Sequence, residues 1–198
     1  MLRLVFNRNQ PPMSDQPDVG ADEYALLQGI GAGDTAAFET FYKIYYPRLF
    51  RFVLRMTRQT EAVEELIQET LLVVWEKPHG FNFESKISTW VFGIAYKKAL
   101  KAMAKSARRD HDVDIDQFVD TIGDPVANPA HNWENEDWLN RGLALLPPEQ
   151  RAVIELTFYH GLSYQEIGKV LDCPENTVKT RMFHARRKLQ VFASEQEN

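Results

Sequence analysis

The sequence predicts an all-α protein of two small helical domains joined by an acidic flexible linker. Three observations predict it. Apolar residues recur at helical spacing through residues 21–109 and again through 136–192. Residues 110–135, between them, show no period and contain Gly123, Pro125 and Pro129. Apolar residues make up 44% of the 198, a globular proportion that gives each half a modest core. Residues 1–20 read as a disordered tail and 193–198 as a second tail, with Met13 an alternative start to Met1.

In the first half, Asp34 follows Gly33 and precedes Ala36, Ala37 and Phe38, where its carboxylate can cap a helix. Leu49, Phe52, Val53 and Met56 then fall at i, i+3, i+4 and i+7, one helical face. The next helix has two opposed stripes. Val63, Leu66, Ile67, Leu71 and Val74 form the apolar one; Glu61, Glu64, Glu65 and Gln68, with Glu69 beside them, form the polar one. A further helix runs from about Ser88 to Arg109, with Phe92, Ala95, Ala99 and Met103 inward. Lys97, Lys101, Lys105 and Arg108 line another side of it, widened by Lys98 and Arg109.

The second half reads helix by helix. Trp138, Leu139, Leu143 and Leu146 mark an amphipathic helix stopped by Pro147-Pro148. Pro148 suits the first turn of the next, which carries Val153, Ile154, Leu156 and Phe158 and ends at Gly161. Ser163 to Glu166 is a capping box opening a third helix, with Ile167, Val170 and Leu171 inside. Asp172-Cys173 turns the chain. Pro174 starts a fourth helix whose buried stripe is Val178, Met182, Ala185 and Leu189.

The net charge of −5 hides an asymmetry. Residues 110–137 hold nine acids and no Lys or Arg, so the remainder carries +4. The one cysteine, Cys173, cannot form an internal disulfide or a zinc set, which fits a reducing cytoplasm. No stretch is apolar enough to span a membrane, and the apolar run after Met1 is shorter than a signal-peptide core. The five histidines lack metal-ligand spacing and no Gly-rich phosphate loop is present. Hence no catalytic set, metal or cofactor is expected. His160, beside Gly161, reads as a helix C-terminal residue.

A short capped helix, a tight turn and a longer helix over residues 163–190 make the helix-turn-helix plan, whose second helix enters the DNA major groove. That helix carries Lys179, Arg181, Arg186, Arg187 and Lys188, with no acid between Asn176 and Gln190. Cations suit phosphates, and short polar groups such as Thr177, Thr180 and His184 suit base edges. Asn176, Lys179, Thr180 and Phe183, near the helix start, are the candidate base readers. The stripe from Lys97 to Arg109 has Trp90, Phe92 and Tyr96 beside it and Phe81 and Phe83 before it. Cations beside aromatic rings suit single-stranded DNA. The acidic stripe suits a basic protein partner. Any of these charged stripes also fits an ordinary solvated helix face.

Three blocks resemble one known family: Glu61–Trp75 (EAVEELIQETLLVVW), Ser88–Ala99 (STWVFGIAYKKA) and Leu145–Leu189. Together, in this order, they resemble the extracytoplasmic-function (ECF) sigma factors of bacterial RNA polymerase, over roughly residues 22–109 and 136–192. The resemblance implies a sigma region 2-like bundle followed by a region 4-like helix-turn-helix, in a non-enzymatic subunit that directs transcription initiation. It implies docking of Glu61, Glu64, Glu65, Leu66, Gln68, Glu69 and Trp75 on the clamp helices of the largest polymerase subunit. Trp90, Tyr96, Lys97, Lys98 and Lys101 would meet the opened −10 element, helped by the loop Pro78–Lys86. Tyr164, Gln165, Asn176, Thr177, Lys179, Thr180, Arg181, Phe183, His184 and Arg187 would meet the −35 element. The beta flap and an anti-sigma factor are further implied partners, and the acidic linker would lie toward the polymerase active site and RNA exit. Two positions depart from the family pattern. Lys97 stands where an asparagine often helps hold a flipped −10 base, and a lysine cannot copy an amide's paired donor and acceptor. Asn176 stands where glycine is frequent. The Thr177-Val178-Lys179 run is also shared with response-regulator output domains. That alternative needs an α/β receiver in residues 21–109.

Overall fold

A computed structural model describes residues 19–110 and 140–196, and among them every regular element is a helix. Helix α1 (Val19–Gly31) begins inside the stretch expected as a tail. Gly33, at φ +82°, turns the chain. Asp34 then caps α2 (Thr35–Thr57) as expected, its carboxylate accepting from the Ala36 and Ala37 N–H groups at 2.8 and 3.3 Å. Arg58 ends α2 in the left-handed region. Helix α3 (Thr60–Glu76) follows, then a 3-10 turn at Pro78–Gly80 and the long α4 (Ile87–Asp110).

The alternating faces assign the packing. Leu49, Phe52, Val53 and Met56 of α2 are buried, as are Val63, Ile67, Leu71 and Val74 of α3 and Phe92, Ala95 and Ala99 of α4. The acidic linker from 111 onward, with Trp138 and Leu139, lies outside the described residues. Helix α4 runs to Asp110, so it takes the first residue assigned to that linker. A receiver-type α/β unit is ruled out for residues 19–110, which form helices.

The second domain is described from α5 (140–144). Next come α6 (Pro148–Phe158), α7 (Tyr164–Leu171) and α8 (Glu175–Gln196). Pro148 occupies the first turn of α6, where its missing N–H costs nothing. Phe158, expected with the inward residues of α6, is exposed. Residues 193–196, expected as tail, continue α8.

The two domains do not stand apart. Their buried side chains form one continuous cluster, and α4 lies directly along α7. A Cβ on Gly93 would sit 4.0 Å from the Val170 Cα, so the two backbones approach closely there. Separate helical periods in two halves of a sequence carry no information about this contact.

Candidate nucleic-acid interface and protein-docking face

The helix-turn-helix is built from its caps inward. Ser163 Oγ accepts from the Glu166 N–H at 3.3 Å, and Glu166 Oε2 accepts from the Ser163 N–H at 2.7 Å. Burial pushes the Glu166 carboxyl upward, but bonds from Ser163 and Lys86 outweigh it and hold it below its ordinary value. Asp172 closes α7 at φ 51°, and the Cys173 N–H donates to the Gly168 carbonyl at 2.9 Å. A Cβ on Gly168 would fall 2.8 Å from the Cys173 carbonyl oxygen, so this tight turn needs glycine there. Asn176 lies within α8 and is not the turn's left-handed residue.

One face of α8 is open. Asn176, Lys179, Thr180, Phe183, His184 and Arg187 are all exposed and recur at helical spacing along it. Phe183 is 62% exposed, far more than an aromatic side chain needs for packing, and its ring meets His184 edge-on at 5.4 Å. Lys179 pairs with Glu175 at 2.7 Å in the open, a contact that DNA phosphate can replace at little cost. The Thr180 hydroxyl donates to the Asn176 carbonyl at 3.0 Å and keeps its lone pairs for a base edge. Arg181 and Thr177 do not share this face. Both are half-buried, and the Arg181 guanidinium lies 3.4 Å from Cys173 Sγ because its helical angle turns it back toward α7. On α7, Gln165 is exposed and Tyr164 half-buried.

The first domain presents a second basic surface, whose stripe Lys97, Lys101, Lys105 and Arg108 is exposed throughout while the aromatic rings beside it are less open than the sequence suggests. Lys97 and Lys101 are exposed on α4. Lys98 ion-pairs with Glu69 of α3 at 2.7 Å. Tyr96 is 4% exposed, beneath the second domain, and burial pushes its hydroxyl up to about 12. It is therefore a packing residue in this arrangement, not an open base platform. Phe81 is buried, and Trp90 packs on it at 5.7 Å with part of its ring accessible. Phe83 projects from the same loop in the left-handed region (φ 60°), uncommon for an aromatic residue, against Tyr24.

The acidic face of α3 is open along Glu61, Glu64, Glu65, Gln68 and Glu69. Glu64 accepts a short bond from the Tyr46 hydroxyl, which that bond pushes up to about 12. Leu66, expected in the docking set, is only 7% exposed. It belongs to the apolar stripe one step around the helix. Trp75 is half-buried edge-on against Phe38 at 5.1 Å. Leu72 is exposed one turn beyond Gln68 on this face, and only its spacing from Gln68 announces it in the sequence.

A further group of side chains spans the domain boundary and escapes sequence reading. Glu155 of α6 is fully buried and meets the Arg55 guanidinium of α2 at 3.1 Å. Burial pushes the Glu155 carboxyl up to about 7 against the opposing pull of Arg55. Arg151, 5% exposed, donates to five carbonyl oxygens between 2.8 and 3.4 Å. Three of them, from Leu143, Ala144 and Leu146, belong to its own domain; two, from Arg55 and Met56, belong to the other. His160 lies beyond the end of α6, its ring 4.3 Å from Phe92 and 5.9 Å from Phe52. Burial, with Arg48, Arg51 and Arg55 nearby, lowers its pKa to about 3. It is thus a neutral part of an aromatic cluster between the domains, more than a helix-terminal residue.

No helix among the described residues is long and apolar enough to cross a membrane, and no grouping of His, Cys, Asp and Glu among them could hold a metal ion. Comparison with known proteins matches two family models: Sigma-70 region 2 over residues 41–109 and Sigma-70, region 4 over residues 136–189. The ECF RNA polymerase sigma factor SigK of Mycobacterium tuberculosis (strain H37Rv) is 31% identical over 90% of this chain and 97% of its own. The ECF RNA polymerase sigma factor RpoE of Cereibacter sphaeroides is 28% identical over 92% and 100%. Among solved structures, the sigma factor RpoE bound to the anti-sigma factor NepR from Bartonella quintana aligns with a TM-score of 0.68 and 26% identity, covering 79% of this chain and 96% of that one. CnrH, in complex with the cytosolic domain of CnrY, shares the fold at a TM-score of 0.66 and 19% identity, over 88% and 98%.

Proposed function

This chain belongs to the ECF sigma factors of bacterial RNA polymerase, and from that membership we propose which of its faces meets polymerase and which meets DNA. As a sigma factor it binds core polymerase and directs initiation at promoters carrying −10 and −35 elements. The observation that carries the reading is the open face of α8, where cations, short polar groups and an unpacked Phe183 lie in one line on the second helix of a helix-turn-helix.

In this reading Asn176, Lys179, Thr180, Phe183 and His184 meet −35 base edges, while Arg187 and Gln165 meet phosphates. Arg181 braces the turn and reaches no base. Lys97 and Lys101 hold the backbone of the opened −10 strand, with Trp90 and Phe83 as stacking surfaces. Glu61, Glu65, Gln68 and Leu72 dock on the clamp helices of the largest subunit, and the second domain meets the beta flap. Glu69 contributes through its pair with Lys98. The protein works in the cytoplasm, and an anti-sigma factor regulates it, as NepR accompanies the Bartonella quintana relative. Run-off transcription with core polymerase and a promoter library tests the whole reading. Initiation from templates with a fixed −35 to −10 spacing is expected, and no initiation from any template overturns it.

A further inference from the structure

Helix α1 lies ahead of the Sigma-70 region 2 match, which begins at residue 41, yet it is built into the first domain. Leu27 and Ile30 are buried. Glu23, also buried, meets Arg48 of α2 at 3.6 Å. A Cβ on Gly31 would touch the His79 ring of the 3-10 turn at 3.4 Å. These contacts fix α1 beside the loop that leads from the 3-10 turn into α4. One side chain of α1, Tyr24, reaches that loop.

The loop turns around a single ring. Phe81 is buried and anchors its start. Asn82 Oδ1 accepts from the Glu84 N–H at 3.2 Å, and Asn82 Nδ2 donates to the Glu84 carboxylate at 2.9 Å, so the chain bends tightly at Phe83. Phe83 sits at the apex with φ 60° and is 67% exposed. Both conditions cost free energy: its Cβ crowds the backbone in the left-handed region, and its ring stays in water. Tyr24 offsets that cost from one side. Its ring lies nearly parallel to Phe83, 16° apart with centroids at 6.0 Å, and tilts on Phe81 at 5.8 Å. Its hydroxyl donates to the Ser85 carbonyl at 3.4 Å, just past the apex. Tyr24 thus holds the loop on both sides of Phe83 and leaves most of that ring open.

An open flat ring backed by a parallel ring is a platform for a third. Nucleobases stack on aromatic side chains by their faces. In duplex DNA both faces of a base are already stacked, so such a platform selects an unpaired base. Lys97 and Lys101, exposed on the helix that the loop enters, supply charge for the strand's backbone.

We propose that Tyr24 is a positioning residue for promoter opening: it holds Phe83 in its exposed, left-handed pose, and an unpaired base of the −10 strand stacks on the Phe83 ring. The inference rests on the −10 reading given above and adds to it a helix outside the region 2 match.

The test uses holoenzyme formed from the full chain and core polymerase, bound to a promoter recovered from the run-off library. Each non-template −10 position in turn carries 5-iodouracil, which joins on irradiation to an aromatic ring stacked against it, and the joined residue is identified by mass spectrometry. At one position the parental chain is expected to crosslink at Phe83. Tyr24→Ala should lower both that yield and initiation about tenfold, with affinity for core polymerase unchanged. Tyr24→Phe keeps the ring and should match the parent in both. In a Phe83→Ala background, Tyr24→Ala should cost no further initiation, because it acts through Phe83. A parental crosslink yield in Tyr24→Ala, additive losses in the double variant, or an equal loss of core affinity overturns the positioning role. If no −10 position of the parental chain crosslinks within the loop while the holoenzyme still initiates, the loop's −10 reading falls, and the platform falls with it.

Discussion

The Arg55 guanidinium meets the Glu155 carboxylate at 3.1 Å across the boundary between the two domains, with the carboxylate fully buried. Removing one partner of such a pair leaves a buried charge without compensation. Arg55→Ala is expected to lower stability by about 3 kcal/mol. Arg55→Ala combined with Glu155→Gln should lose less at a pH well above 7, where Glu155 in the single variant must either stay charged or bind a proton. Urea midpoints of the two variants check the order; an equal loss in both would remove the buried charge as the cause.

His160 gives the fold a pH dependence whose sign follows from its burial. Its folded pKa of about 3 lies below the ordinary 6.5, so between those values the unfolded chain binds a proton that the folded chain refuses. Stability from this residue therefore falls as pH drops below about 6.5. Glu155 works in the opposite sense between 4.5 and about 7, since its raised pKa favours the folded state at lower pH. Comparing His160→Phe with the parent isolates the first effect. The variant should gain about 2 kcal/mol relative to the parent on going from pH 7.5 to pH 5. A difference that stays constant over that range would mean that His160 titrates normally.

Phe183 separates DNA binding from folding. Its exposed ring leaves little packing to lose, so Phe183→Ala should change stability by no more than about 0.5 kcal/mol. Affinity for a −35 duplex should nevertheless fall by about 1–3 kcal/mol. Lys179→Ala should lower both affinity and its salt dependence. Filter binding over a range of salt concentrations distinguishes the two; unchanged affinity in both would remove α8 from the interface.

On the acidic face, Glu61→Lys with Glu65→Lys tests docking without disturbing the Glu69–Lys98 pair. Both side chains are exposed, so the fold should be unaffected. Binding to core polymerase should weaken at least tenfold in a competition titration. Parental affinity would place the docking surface elsewhere.

The helices were legible because periodicity and caps are local. Asp34 and the Ser163–Glu166 box announce their helices in four residues each, and the structure shows both bonded as the sequence implies. The open line on α8 was nearly legible too. Only Arg181 and Thr177 fell off it, because a list of polar residues ignores the angle each occupies on the helix. Leu66 is covered for the same reason, its angle placing it in the apolar stripe of α3. Tyr96, Arg151, Glu155 and His160 were illegible on different grounds. Each looks like an ordinary surface or helix-end residue until a second domain covers it, and nothing nearby in the sequence encodes that cover.

The capped end of α2 has a kinetic consequence. Arg58 donates its N–H to the Leu54 carbonyl at 2.8 Å, and that bond closes the same last turn whose carbonyls Arg151 holds. A local opening that separates α6 from α2 would strip the turn of its guanidinium and let it fray as a free helix end does. Deuterium uptake at the Arg58 amide is therefore expected to report such local openings in the unlabelled chain.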